Sequence, residues 1–348
     1  MIQFRLWAFL GAVALFALAR SGCSSGGTST PAVVVYTSVD DVFARPIAGR
    51  FQKETGIEVK LVPDTEETKS TGLLNRLLAE KDRPQADVFW SGDPVRPGIL
   101  KKHGVTAAYQ SPSAEGLPAQ FSDPEHHWTG FSARARILLA NTQHEVFKNA
   151  PLPSSIRDLA DPRYKGKACV ANPLFSTAGM HAAAIFQVMG EAEAKKFFEG
   201  LLANQTRVLS SNGEVRRRVA DGEFAFGLTD TDDAAEAIRD GKPVKMIFPD
   251  EKGMGTLIVP NAAVLIARGP NTENGKRFMD YLLRPETEAA LAEGEAAQMP
   301  LRPSVPVPKG VANVKELKPM NVDYAKLADI LEEISKGFLK DWVDRSSK

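Results

Sequence analysis

The chain has 348 residues, enough for about two domains. Apolar residues make up 43% and charged residues 25%, the balance of an ordinary globular protein. The 43 Lys and Arg are matched by 43 Asp and Glu, which argues against a nucleic-acid partner, since such binders carry a basic surplus.

The first segment reads as a targeting signal. Arg5 is followed by an unbroken apolar run at 6–19 (LWAFLGAVALFALA), shorter than the roughly 20 residues a membrane span needs. Ser21-Gly22-Cys23 resembles the end of a bacterial lipobox, with Arg20 where an apolar residue is usual. The expectation is a signal peptide over 1–22 and a lipid-anchored tether over 23–32, lipidated on Cys23, which places the protein in the periplasm or on the outer face of the cytoplasmic membrane. Without Cys23, Cys169 is left with no partner for an internal disulfide. Its apolar setting (ACVA) predicts a buried, inert thiol.

Residues 33–36 (VVVY) predict a strand buried on both faces. A loop holding Ser38 and Asp40 follows, then a helix ending at Gly56. The alternation at 57–62 (IEVKLV) predicts a strand, and Leu73, Leu74, Leu77 and Leu78 recur at helical spacing. Residues 86–90 (ADVFW) predict a third strand with a loop at 91–94 (SGDP). Strand–helix–strand alternation of this kind predicts a parallel sheet. Further strands are expected at 134–141, 167–172 and 224–228, the last followed by an acidic loop, TDTDDA. Residues 256–267, broken by Pro260-Asn261, predict a return crossing, and the tail from Asp323 predicts one amphipathic helix. The expected plan is therefore α/β, with lobe 1 from 33–132 plus 260–348 and lobe 2 from 133–259, and two crossing segments as a hinge.

Ligands of open α/β sheets sit beyond the carboxyl ends of the strands. Ser38 and Asp40 can contact a ligand or cap a helix. Trp90 can stack on an organic ligand or pack on the hinge, beside Asp93. Arg134 and Arg136 are two apart on a strand and share a face, which suits a carboxylate, carbonate or phosphate, or an ion pair. Asn172, Ser176 and Thr177 surround one helix start and Asn212 another, each a possible anion site or plain cap. Asp230 and Asp232, flanking Thr231, with Asp233, are comfortable with a cation, an ammonium group or the arginines. The histidines and cysteines show no zinc spacing, and no nucleophile or phosphate-loop motif occurs.

The runs VVVYTSVDDVFARPIAGRFQKETGIEVKLV, ADVFWSGDP, HWTGFSARARILLAN, DLADPRYKGKACVANP and GEFAFGLTDTDDA together resemble the type-2 periplasmic solute-binding proteins of ABC importers, closest to the ferric-iron-binding group. The resemblance implies two Rossmann-like lobes joined by a hinge, a monomer that binds rather than catalyses, and permease and ATPase partners. It also implies iron(III) with carbonate or a similar anion as cargo, an anion-holding arginine, and no cofactor. Those relatives carry adjacent tyrosines where this chain has Thr231-Asp232, and none of its five tyrosines are neighbours. Asp40, Asp230 and Asp232 are then the expected metal ligands, since a hard cation prefers oxygen. The alternatives are a phosphorylated, phosphonate or carboxylate solute, or, in another class, an exported hydrolase.

Overall fold

The computed structural model describes residues 30–64 and 71–347; the leader and Cys23 lie outside the described residues. Strand β1 (Ala32–Thr37) leads through helix α1 (Asp41–Thr55) to β2 (Glu58–Pro63), and α2 (Thr71–Ala79) leads to β3 (Val88–Ser91). Gly56 ends α1 in the left-handed region, at φ 72°, where a glycine carries no Cβ penalty. Helix α3 (Val95–Lys102) and the short β4 (Thr106–Ala107) precede a 13-residue strand, β5 (Thr129–Asn141). Then come β6 (Ala168–Ala171), α4 (Ser176–Met189), α5 (Glu191–Ala203), β7 (Arg207–Leu209), α6 (Asn212–Ala220), β8 (Phe226–Asp230), α7 (Thr231–Arg239) and β9 (Val244–Ile247). Strand β10 (Ile258–Ile266) is followed by α8 (Thr272–Leu282), α9 (Pro285–Glu293), α10 (Tyr324–Lys336) and α11 (Phe338–Ser346).

The strands form one curled sheet in the order β2-β1-β3-β10-β5-β8-β6-β7, with β4 beside β10 and β9 beside β5. Pairing is parallel among β1, β2 and β3 and among β6, β7 and β8, as the alternation of strands and helices predicts. The two long strands between these groups run antiparallel to their neighbours. They return the chain across the sheet instead of winding a further crossover. Strands β3, β5, β8 and β10 are buried along their whole length, with apolar runs such as 137–140 and 262–266, whereas the edge strand β2 alternates.

Strand β5 changes partner midway: residues 129–135 pair with β10 and residues 136–140 with β8. Beside the handover, Phe131 faces Asn261 and Ala133 faces Pro260, so Ser132 is an extra, unpaired residue, a β-bulge. Its φ is 36°. Its amide donates to Glu288 Oε1 at 2.8 Å and its carbonyl accepts from Asn261 Nδ2 at 2.8 Å, so both groups leave the ladder satisfied. Glu288 is fully buried and paired with Arg302 at 3.1 Å.

Two expectations are corrected. The acidic TDTDDA stretch is not a loop: Asp230 ends β8 and Thr231 begins α7 with no intervening residue. The tail is two helices rather than one, broken at Gly337, and Trp342 anchors the second by donating to the Phe198 carbonyl at 2.8 Å. Among the described residues no helix is long and apolar enough to cross a membrane. Cys169 is a free, buried thiol, and burial pushes its pKa well up, as an inert cysteine requires.

Candidate functional site

The site grows from alternation along β5. Arg134 and Arg136 point to the same face, and β8 delivers Asp230 opposite Arg136 in register. Arg136 is 1% exposed and its Nη1 donates to Asp230 Oδ1 at 2.8 Å, Asn212 Oδ1 at 3.0 Å and Thr177 Oγ1 at 3.1 Å. Its Nη2 reaches the Leu228 carbonyl and its Nε reaches His181 Nδ1. Asp230 Oδ2 in turn accepts from Thr177 Oγ1 at 2.7 Å and from Asn212 Nδ2 at 3.2 Å. A buried ion pair is tolerable only when its remaining donors and acceptors are met, and here they are. Burial alone raises the Asp230 carboxyl, but the Arg136 and Arg134 charges outweigh it and hold it below the usual carboxylate range. Burial, and then the Arg136 charge, push His181 down to about 3, so it stays neutral and accepts from Arg136.

One turn of the strand away, Arg134 faces a polar cavity of about 40 Å³. That is room for roughly three waters, or an ion with a small anion. Asp40, Asn172, Phe175, Ser176, Ser210, Ser211, Asn212, Gly213 and the three acids of α7's start line it. Arg134 Nη1 lies 3.4 Å from Asp232 Oδ2 and 3.8 Å from Asp230 Oδ2, and Nη2 donates to the Gly92 carbonyl. Its Nε is buried with no partner among the described residues. Burial disfavours the charged guanidinium, but Asp232, Asp230 and Asp40 more than offset this and raise its pKa above the ordinary value.

Asp230, Asp232 and Asp233 bring carboxylate oxygens within 4.8 Å of one another. Burial, then Asp232 and Asp230, push the Asp233 carboxyl up to about 8, even though Thr229 Oγ1 donates to it at 2.6 Å. The cluster thus holds a proton in place of a further cation. Facing it, Ser211 caps α6 by accepting from the Glu214 amide at 3.1 Å, and the positive end of that helix dipole, at Asn212-Gly213, borders the cavity.

The remaining sequence-named residues are dispersed. Asp40 borders the cavity and does not cap α1 with its side chain. Ser38 Oγ accepts from the Gly92 amide at 2.9 Å, and Thr231 Oγ1 accepts from the Ala135 amide at 3.2 Å. Thr177 and Arg136 are committed to Asp230, behind the cavity wall. Trp90 is fully buried, its ring 5.9 Å from that of Phe131, and does not border the cavity. Asp93 caps α3, accepting from the Val95 and Arg96 amides. Sequence reasoning did not single out Ser210, Ser211 or Phe175, nor the buried Arg96, which pairs with Asp93 at 3.1 Å. For Arg96 the available signal was its position three residues after Asp93 at a helix start.

Residues 84–327 match the family of bacterial extracellular solute-binding proteins, and the chain belongs to that family. Its fold is that of the type-2 periplasmic binding proteins. The periplasmic binding protein AfuA of Actinobacillus pleuropneumoniae, solved with fructose-6-phosphate bound, superposes with a TM-score of 0.80 at 24% identity, over 91% of this chain and 98% of that one. Among curated proteins, iron uptake protein A1 of Synechocystis is 27% identical over 316 residues, 86% of this chain and 83% of that protein. A putative 2-aminoethylphosphonate-binding periplasmic protein of Salmonella typhi is 27% identical over 254 residues, 70% of this chain and 69% of that protein.

Proposed function

We propose that this chain is the extracytoplasmic capture component of an ABC importer, exported and held on Cys23, and that it closes lobe 1 (33–132 with 260–348) on lobe 2 (133–259) around an oxygen-coordinated cation and a small anion. Iron(III) is the first candidate. The hinge is assigned to the bulge at Ser132 and the facing Pro260-Asn261 step, because the chain passes from one proposed lobe to the other at both places and the ladder is broken there. C-terminal helices α10 and α11 contact helices of both stretches, through Lys102–Glu332 at 2.7 Å and Arg345–Glu199.

The observation that carries the cation is the crowded acid cluster, three carboxylates with oxygens within 4.8 Å of one another. Asp232, Asp233 and Asp40, which line the cavity, are assigned as the cation's oxygens, and Asp230, held by Arg136, Thr177 and Asn212, as their brace. The start of α6 is assigned to the anion. Likeness to iron uptake protein A1 supports the same choice. Chelator-stripped protein titrated with ferric citrate or carbonate is expected to gain thermal stability and a visible absorption band saturably, with a smaller radius of gyration by small-angle scattering. No response in either titration removes iron.

A second reading, a small phosphonate, phosphate or carboxylate solute, is favoured by the partnerless Nε of Arg134 beside the α6 start and by the Salmonella relative. Arg134→Met is expected to abolish binding of such a solute; full affinity in that variant removes the reading.

A further inference from the structure

Arg96 is a charged side chain only 1% exposed, and nothing in the ligand reading uses it. A buried guanidinium has to be paired and hydrogen-bonded. Its first partner is local: Asp93 Oδ2, at 3.1 Å, held in place because Oδ1 caps α3. The second lies across the cleft. Nη1 donates to the carbonyl of Ser176, the first residue of α4, at 2.8 Å. Gly179, one turn into α4, leaves the floor open for this: a Cβ there would stand 3.1 Å from Arg96 Nη2 and 3.0 Å from the Pro173 carbonyl. A parallel bond joins Thr71 Oγ1, at the start of α2, to the Leu174 carbonyl at 3.3 Å. Two side chains of lobe 1 therefore hold the Leu174–Ser176 turn of lobe 2 by its backbone.

That turn is strained. Ser176 has φ 48°, a left-handed conformation that an L-residue other than glycine adopts only when its surroundings impose it. The reason is visible in its neighbours. Ser176 offers its carbonyl to Arg96, while the next residue, Thr177, turns its hydroxyl to Asp230 at 2.7 Å. Consecutive residues thus face opposite lobes, with the left-handed residue at the point where they diverge. Ser176 and Phe175 also form part of the cavity wall.

We propose that Arg96 is a positioning residue, a closure latch that holds Ser176 in its left-handed form when the lobes meet, and that the strain at Ser176 works against the latch to favour reopening. The latch rests on the two-lobe closure reading but not on any choice of ligand. It shapes the cavity wall from the opposite lobe without touching the solute.

The test needs no ligand. Spin labels on cysteines introduced at the exposed Val42 of α1 and Ile238 of α7, in the exported protein carrying Cys23→Ser, report the distance across the cleft by pulsed electron resonance. Cys169 is buried and stays silent. Arg96→Met is expected to move population to the longer distance, and Thr71→Val to do so less. Ser176→Gly is expected to move it to the shorter distance by about tenfold in the closed-to-open ratio, or about 1.4 kcal/mol. Ser176→Ala, which keeps the strain, should match the parent. If Arg96→Met does not fold, Thr71→Val and Ser176→Gly carry the test. Two resolved distances that ignore Thr71→Val and Ser176→Gly overturn the latch alone. One distance unmoved in every variant overturns lobe closure as well. Equal effects of Ser176→Gly and Ser176→Ala overturn the role of backbone strain.

Discussion

Arg136 and Arg134 lie two residues apart on one face of one strand, and they live in different chemistry. Arg136 spends its donors on Asp230, Asn212, Thr177, His181 and the Leu228 carbonyl, behind the cavity wall. Arg134 borders the cavity, spreads its charge over Asp232 and Asp230 at longer distances, and keeps a partnerless Nε. The pair divides the cavity and its surroundings into two layers. One arginine neutralises a carboxylate for good and stiffens the wall, and the other is left with capacity to spare.

The contrast can be broken by substitution. Arg136→Met leaves Asp230 buried without its main counter-charge and is expected to lower unfolding stability by about 3–5 kcal/mol in a urea titration; a loss below about 1 kcal/mol would place Arg136 outside the framework. Asp233 tests the cavity side through pH. Its carboxyl titrates near 8 in the folded chain against roughly 3.9 unfolded, so the native state holds the extra proton between those values. Ligand-free stability is therefore full below about pH 4 with respect to this group, and falls as pH rises to 8, by up to about 1.4 kcal/mol per pH unit. Asp233→Asn should flatten that slope, and a parent curve already flat there contradicts the crowded cluster. Arg134→Met removes hydrogen bonds to charged groups but no saturated network, so a loss of about 1.5–3 kcal/mol is expected, smaller than for Arg136, together with loss of the ligand response. The smallest effect belongs to Trp90→Phe. The indole nitrogen has no partner and the ring packs on Phe131, so a change of about 1.5 kcal/mol or less is expected, with ligand response intact. A lost response would return Trp90 to the site.

The fold was legible because buried strands carry apolar runs and β2 alternates, and because Gly56 marks a helix end. The shared face of Arg134 and Arg136 was legible from a spacing of two. Their unequal roles were not, because the partners on β8, α4 and α6 come from residues more than 40 positions away. TDTDDA read as a loop because Asp and Thr favour turns, yet α7 starts inside it, where acids in a first turn suit the helix dipole. For Arg96 only the local half was legible, its place three residues after Asp93; its burial was not, since its second partner is 80 residues downstream.

The position of β10 carries one more consequence. Residues 258–266 form a strand that lies between β3, finished by residue 91, and β5, finished by residue 141. A ribosome therefore releases both flanking strands long before the one that joins them. Pairings so distant in sequence form slowly, and until they form the edges of β3 and β5 stay open. It also means that a chain truncated before residue 258 keeps every strand from β5 to β9 but lacks the one that joins β5 to β3.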